Sequence, residues 1–188
     1  MRDGVAVAVR AVRSGTPVFY PTDTLWGLGV RPTDPAAVRR LYAAKRRPEG
    51  MPVSVAFSSY EEAEPFVRLT PGIRSLLRRT VPGPYTFLLP ASPRARREWV
   101  RSVLGESATV GIRIPDHPVA RDLLARTGPL TTTSANRHGE PPCRSVREGR
   151  RVFGNEVGAY LSGAPAPSGR PSTIVAFSGG RPIHVRRS

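Results

Sequence analysis

Several residue types and segments that mark common protein classes are scarce or missing in this 188-residue sequence. The single cysteine, Cys143, excludes an internal disulfide and a cysteine-rich zinc site. No apolar run approaches the roughly 18–20 residues that a membrane-spanning helix needs, and the N-terminus lacks the long apolar stretch of a signal peptide. We therefore expect a cytoplasmic protein that folds as a single domain over residues 1–188.

The motifs of several standard enzyme classes are also missing. The sequence has no G-x-x-x-x-G-K-[ST] phosphate loop, no G-x-S-x-G nucleophile turn and no H-E-x-x-H zinc motif. The Gly27-Leu28-Gly29 pair lacks the third glycine and the following helix of a dinucleotide-binding fingerprint. A nucleotide, if one is bound, is therefore held without a phosphate loop, and the sequence argues against a serine hydrolase.

The charge balance is strongly basic, with 29 Lys and Arg residues against 14 Asp and Glu residues and a net charge of +15. Such an excess attracts phosphate, whether in nucleic acid or in a nucleotide. However, every basic residue except Lys45 is arginine, glutamine is absent, and Pro and Gly number 21 and 18. This pattern indicates GC-rich coding bias as a partial source of the charge. It also makes the lone lysine and the rare Asn136 stand out.

Helical and strand patterns alternate along the chain and predict an α/β domain around a twisted, largely buried sheet. The Asp34-Pro35 pair is a favourable helix start, with an N-cap followed by proline at the first helical position. The patterns predict helices at residues 4–14, 35–45, 58–68, 70–79, 118–126 and 144–152, and strands at 17–20, 53–57, 85–89, 108–114, 130–133, 174–177 and 183–185. Ligands of open α/β sheets bind beyond the carboxyl ends of strands, where polar motifs are therefore expected.

Four strand-end segments carry such motifs. Residues 20–29, YPTDTLWGLG, place hydroxyls and then glycines after a strand, which favours either a ligand site or an ordinary turn. Lys45 and Arg47 lie two residues apart where an extended backbone would align them as a phosphate clamp. The alternative for this pair is a solvated basic helix end.

The remaining two segments follow the same logic. Ser134 and Asn136 have the same two-residue spacing after a strand, which predicts either a ligand site or a capping turn. Arg113 lies between Ile112 and Ile114 inside an apolar strand, where an arginine is costly unless it pairs with an anion. We therefore predict that Arg113 binds a carboxylate.

In this order, these segments resemble the Sua5/YrdC/YciO family, the threonylcarbamoyl-AMP synthases. The matching stretches are YPTDTLWGLG, AAKRRP, VPGPYTFLL, TVGIRIPDHP, TTTSANRHGEPP and RPSTIV, spread over residues 20–175. The resemblance implies a YrdC-like (DHBP-synthase-like) mixed sheet with surrounding helices and a large positively charged cavity, in the short form without a C-terminal Sua5 domain. It also implies formation of L-threonylcarbamoyl-AMP from L-threonine, bicarbonate or CO₂, and ATP. The product would pass to threonylcarbamoyl-transfer machinery that makes t⁶A in tRNA.

The resemblance also implies roles for individual residues. It assigns phosphate handling and catalysis to Lys45, Arg47, Ser134 and Asn136, further nucleotide contacts to Thr109 and Arg186, and threonine contacts to Thr24, Arg113, Thr132 and Ser172. ATP is the implied co-substrate and Mg²⁺ the implied cofactor, although no residue is assigned to a metal.

Two positions depart from the family pattern. Met51 stands where the family often has asparagine, and Ala56 where it often has histidine. These departures leave two alternatives open: a paralogue that makes a different carbamoyl-adenylate, and a non-catalytic protein that binds double-stranded RNA. Any RNA binding is expected to be non-specific and strongly salt-dependent, because the arginines are spread over the whole chain.

Overall fold

Nine strands form one mixed sheet in the part of the chain that the computed structural model describes, residues 2–48, 50–104, 108–179 and 181–185. The strands are β1 (Val18–Pro21), β2 (Trp26–Gly29), β3 (Ser54–Ala56), β4 (Tyr85–Pro90), β5 (Thr109–Arg113), β6 (Leu130–Ser134), β7 (Ala159–Tyr160), β8 (Thr173–Ser178) and β9 (Arg181–Val185). Their order across the sheet is β7-β1-β2-β6-β3-β5-β4-β8-β9. The pairs β1–β7, β3–β5 and β4–β8 are parallel, and the others are antiparallel.

The helices surround this sheet and largely follow the predicted pattern. They are α1 (Arg2–Arg13), α2 (Pro35–Lys45), α3 (Tyr60–Ala63), α4 (Pro71–Thr80), α5 (Pro93–Glu98), α6 (Arg101–Leu104), α7 (Pro118–Thr127) and α8 (Val146–Phe153), with 3₁₀ turns at Glu64–Phe66 and Gly154–Glu156. The Asp34 side chain accepts a hydrogen bond from the backbone N–H of Ala37, which confirms the predicted start of α2. None of the described helices is long and apolar enough to cross a membrane.

Some elements differ from the sequence-based predictions. The helix predicted for 58–68 is only α3 followed by a 3₁₀ turn, because Pro65 cannot continue the helical hydrogen bonding. β2, β7, α5 and α6 were not predicted. Two of the four residues of β2 are glycine, which is depleted in strands, and the pairing of β2 with β1 and β6 outweighs that propensity.

The two faces of the sheet have different chemistry. Most registered neighbours on one face are apolar and belong to the main core: Phe19, Leu28, Val55, Ile112, Phe87 and Val175, with Thr131 and Thr133 of β6 on the same face. Alternation along each strand puts most of the hydroxyl, small and charged residues on the opposite face: Tyr20, Gly27, Gly29, Ser54, Ala56, Thr86, Gly111, Arg113, Thr132 and Ser134. The apolar Val18, Leu88, Leu130 and Ile174 lie on this opposite face as well. We call this second surface the polar face, and it carries several of the predicted site residues.

The glycines of β2 have a packing role. A Cβ atom on Gly29 would lie 2.5 Å from the Thr131 carbonyl oxygen and 3.2 Å from the Tyr20 ring, and one on Gly27 would lie 3.4 Å from that ring. Close packing therefore explains glycine at position 29, which admits the Tyr20 ring and the close approach of β6. At position 27 a Cβ atom would make only ordinary contacts.

Candidate active site

A buried ionic cluster surrounds Arg113 at the end of β5. Arg113 is 7% exposed, and its Nη2 donates hydrogen bonds to Asp23 Oδ1 and Thr24 Oγ1, each at 2.6 Å. Thr22 Oγ1 accepts a longer bond of 3.3 Å from the same nitrogen. The prediction that this strand arginine needs an anion is met here by Asp23. Sequence reasoning missed Asp23, although its position among hydroxyls after a strand was the available signal.

Two more hydroxyl pairs lie beside this cluster on the polar face. The Tyr20 hydroxyl donates to Thr132 Oγ1 at 3.0 Å, and burial raises the pKa of Tyr20 although Thr132 and Arg113 oppose the shift. Thr86, on the strand next to that of Arg113, lies 2.8 Å from the Ser172 hydroxyl. The structure thus brings Thr24 into direct contact with Arg113. Thr132 and Ser172 do not contact Arg113 in this way but bond to Tyr20 and Thr86, which lie near it.

A second cluster surrounds Lys45 at the end of α2. Lys45 is only 2% exposed, and its Nζ donates to the carbonyl oxygens of Ser134 at 2.5 Å and Asn136 at 2.8 Å. A longer contact of 3.4 Å joins Nζ to Asn136 Oδ1, which also accepts a 2.6 Å hydrogen bond from the Ser134 hydroxyl. Lys45, Ser134 and Asn136 therefore form one connected unit. The alternative of a solvated helix-end lysine is wrong.

Arg47 lies differently from the prediction. Arg46 adopts a left-handed conformation (φ 49°) that ends α2, so the chain does not run extended from Lys45 to Arg47. The Arg47 guanidinium donates to the carbonyl oxygens of Pro52 at 2.7 Å and Met51 at 3.4 Å. The two cations contact different carbonyls, and the proposed alignment by extended backbone is wrong. Burial lowers the pKa of Lys45, and electrostatic repulsion from Arg47 lowers it further.

A twelve-residue connection between β7 and β8, residues 161–172, links to the first cluster. We call this segment the strap. The backbone N–H groups of Ser168 and Gly169 donate to the carbonyl oxygens of Asp23 and Thr24, at 3.2 and 2.8 Å. His117 anchors it further, since His117 Nδ1 accepts from the Val119 N–H and leaves Nε2 to donate to the Pro165 carbonyl oxygen at 2.8 Å. The strap therefore holds the backbone at Asp23 and Thr24 through two hydrogen bonds.

A cavity of about 340 Å³ lies where these segments meet. Its lining comprises Leu25, Trp26, Pro141, Pro142, Cys143, Arg144, Pro167 and Gly169. Leu25 directly follows Thr24 of the first cluster, and the Cys143 N–H donates to the Ala135 carbonyl oxygen within the second. The cavity thus borders segments that carry both clusters, and its size suits a ligand of nucleoside dimensions. Among the described residues that line it, Arg144 is the only cation, so the large positively charged cavity stays a prediction.

Comparison with known proteins identifies the family. A family model described as "Sua5_yciO_yrdC: Telomere recombination" matches residues 10–188. The chain belongs to the Sua5/YciO/YrdC family. It is 38% identical over 183 residues to a threonylcarbamoyl-AMP synthase of Chromohalobacter salexigens, with 96% of each chain covered.

Solved structures of the family confirm the predicted fold. E. coli YciO superposes with a TM-score of 0.87 at 25% identity, covering all of this chain and 90% of YciO. P. abyssi Sua5 in complex with L-threonine gives a TM-score of 0.87 at 30% identity and 97% coverage of this chain. This chain spans about half of the length of that Sua5 protein, 53%.

The two positions that depart from the family pattern differ in location. Ala56 is fully buried and pairs in register with Arg113, on the polar face. Met51 is 38% exposed, and its carbonyl oxygen accepts a 2.6 Å hydrogen bond from the Tyr42 hydroxyl. Ala56 is therefore the departure that lies next to the first cluster, whereas the Met51 side chain points towards solvent.

The other implied contacts and the implied metal can be examined in the same way. Thr109 starts β5 and shares the polar face with Arg113 by strand alternation. Arg186 lies outside the described residues. Among the described residues, no three His, Cys, Asp or Glu side chains converge to hold a metal ion. The implied Mg²⁺ therefore stays a prediction.

The environment of Lys45 predicts a pH-dependent stability. Burial, with repulsion from Arg47, lowers the pKa of Lys45 from 10.5 to about 7. The unfolded chain therefore binds this proton more tightly, so the contribution of Lys45 is complete above about pH 10.5 and is lost as the pH falls through 7. We expect the free energy of unfolding of the wild type, relative to Lys45→Met, to rise between pH 7 and 9.5 by up to about 1.4 kcal/mol per pH unit.

Urea unfolding at several pH values measures this difference. Arg46→Met is the matched control, because Arg46 is exposed one residue further along the chain and should add no slope. A wild-type-minus-Lys45→Met difference that stays flat across this pH range would contradict the lowered pKa.

Proposed function

We propose that this protein forms L-threonylcarbamoyl-AMP from L-threonine, bicarbonate or CO₂, and ATP, with release of pyrophosphate, and that the product serves t⁶A modification of tRNA. The observation that carries the proposal is the pairing of two clusters beside one cavity. One has a buried arginine among hydroxyls, and the other a buried lysine on a Ser-x-Asn turn. The name of the Chromohalobacter salexigens relative and the L-threonine complex of P. abyssi Sua5 support it.

The Arg113 cluster would bind the amino acid. A guanidinium is suited to a carboxylate, and the surrounding hydroxyls of Thr24, Thr132 and Ser172 can donate to or accept from a substrate hydroxyl. The threonine amine, once neutral, adds to CO₂ to give a carbamate and one proton. Carbamate formation would therefore take place at the Arg113 cluster.

The Lys45 cluster would bind the triphosphate. A carbamate oxygen attacks the α-phosphorus in line, the bond from that phosphorus to the bridging oxygen breaks, and pyrophosphate leaves with the electron pair. Lys45 has two strong hydrogen bonds to backbone carbonyls, while its 3.4 Å contact with Asn136 is weak and can be exchanged for a phosphate oxygen. Ser134, Asn136 and Arg47 would orient and neutralise further oxygens, with Thr109 and Arg186 as additional nucleotide contacts.

Catalysis in this scheme is positioning and charge neutralisation, so no side chain needs to act as a nucleophile. Mg²⁺ would arrive as part of the ATP complex, ligated by phosphate oxygens and water, since Mg²⁺ commonly keeps such ligands. Transfer to tRNA would require separate threonylcarbamoyl-transfer machinery. Cytoplasmic location and weak, salt-dependent RNA binding remain predictions alongside this proposal.

A panel of amino acids tests the substrate. With ATP and bicarbonate present, the purified protein should show its highest kcat/KM for pyrophosphate release with L-threonine. Serine keeps the hydroxyl and loses one methyl group, so its kcat/KM should fall by a factor equivalent to about 1–3 kcal/mol. Valine lacks the hydroxyl, so its kcat/KM should fall by a larger factor. Omitting bicarbonate is the control, because release should then stop.

Preference for another amino acid would favour the alternative of a paralogue with a changed substrate. Ala56, which lies in register with Arg113, is the departure from the family pattern that supports this alternative. Absence of pyrophosphate release with every amino acid would contradict the enzymatic proposal as a whole. Tight binding of one RNA that persists at physiological salt would then favour the RNA-binding alternative.

A further inference from the structure

The ion pair between Asp23 and Arg113 is incomplete. Only one carboxylate oxygen, Oδ1, meets only one guanidinium nitrogen, Nη2, although both side chains are mostly buried, at 13% and 9% exposure. Asp23 Oδ2 and Arg113 Nε are both buried and have no hydrogen-bond partner among the described residues. A carboxylate can accept two parallel bonds from one guanidinium, so this geometry leaves binding capacity unused on both partners.

Unused capacity of this kind is unfavourable in a buried site. A polar atom that loses water without gaining a hydrogen bond costs free energy, more so when it carries charge. If the ion pair had only a structural role, we would expect both carboxylate oxygens to accept hydrogen bonds from the guanidinium. The Asp23 backbone is held by Ser168 N–H, and Thr22 and Thr24 flank it, so its position is fixed by the turn and the strap.

The free amino acid has a matching arrangement of charges. An α-amino acid carries a carboxylate and an ammonium on one carbon atom, and Arg113 and Asp23 place a guanidinium beside a carboxylate in one buried cluster. We propose that Asp23 Oδ2 accepts a hydrogen bond from the α-amino group of the substrate whose carboxylate Arg113 binds. This assignment rests on the proposed function, which puts the amino acid at Arg113.

This arrangement has a consequence for the reaction. The ammonium nitrogen loses two of its three protons when the carbamate forms, so one N–H remains. That N–H can donate to Asp23 Oδ2 as well. Asp23 is therefore a binding residue that can hold the substrate nitrogen before and after carbamate formation. A substrate that lacks the amino group loses this contact and keeps the one with Arg113.

The experiment compares two ligands in two proteins by calorimetry. The ligands are L-threonine and (R)-3-hydroxybutanoate, which keeps the carboxylate and the hydroxyl and lacks the amine. The wild type should bind threonine more tightly. In Asp23→Asn, threonine affinity should fall about 10- to 100-fold, while 3-hydroxybutanoate affinity should change less than about threefold, because a hydrogen bond to a charged partner is lost for one ligand only. Asp122→Asn, in an exposed ion pair with Arg126, is the matched control and should change neither.

The outcomes separate this inference from the proposed function. Equal losses for both ligands in Asp23→Asn would show that Asp23 acts only by orienting Arg113, and would overturn the inference while leaving the threonine site in place. Equal affinity of the wild type for both ligands would overturn it without any variant, which covers the case in which Asp23→Asn does not fold. A wild type that does not bind threonine would overturn the proposed function and this inference together.

Discussion

Replacing Lys45 with methionine should reduce the kcat/KM for pyrophosphate release by about 10²- to 10³-fold, the loss typical for removal of one preorganised group that stabilises charge in a transition state. The Lys45 ammonium is at the junction of α2 and the Ser134–Asn136 turn, and contacts the backbone at both ends of that turn. A charge that is both buried and repelled by Arg47 is costly to keep. Strongly shifted groups of this kind concentrate at functional sites.

The fold should survive this change. Methionine retains the apolar stem, and removing a buried charge offsets the loss of its two carbonyl hydrogen bonds. Pyrophosphate release measures activity, and thermal unfolding in parallel confirms that the variant is folded. Arg46→Met is the control, since Arg46 is exposed and should keep wild-type turnover. Wild-type turnover in Lys45→Met would remove Lys45 from the reaction.

Replacing Arg113 with alanine should weaken threonine affinity by about 2–5 kcal/mol and leave ATP affinity nearly unchanged. The reason is that Arg113 lies with Asp23, Thr22 and Thr24, whereas the contacts expected for the triphosphate lie at Lys45. Calorimetric titration with each ligand separately measures both affinities. Arg126→Ala, which breaks an exposed ion pair, is the control and should affect neither.

The single Arg113 variant leaves the Asp23 carboxylate buried and uncompensated, which can cost about 3–5 kcal/mol of stability. If that variant does not fold, the double variant Arg113→Ala with Asp23→Asn removes the uncompensated charge, and its affinities compared with those of Asp23→Asn alone isolate the effect of Arg113. Equal loss of threonine and ATP binding in a folded variant would show that Arg113 supports the whole site and not the amino acid alone.

Local sequence determined much of the fold. The Asp34-Pro35 start of α2, the proline starts of α4 and α7, and the strands 85–89 and 130–133 were predicted because caps, proline geometry and apolar periodicity act within a few residues. The cost of burying an arginine in an apolar strand likewise pointed to an anionic partner for Arg113 before that partner was known. The unusual choice of lysine in an arginine-rich chain pointed to Lys45.

Only the tertiary structure decided which residues meet. Asp23 reaches Arg113 across 90 residues of sequence, and Lys45 reaches the Ser134–Asn136 turn across about the same separation. β2 forms because β1 and β6 pair with it, against its own propensity, and the strap holds Asp23 through hydrogen bonds from Ser168. Which strands pair, and which backbone groups bond across long sequence separations, has no local sequence signal. The sequence therefore indicates which functional groups are present, whereas their arrangement into one site depends on how the sheet and the strap fold together.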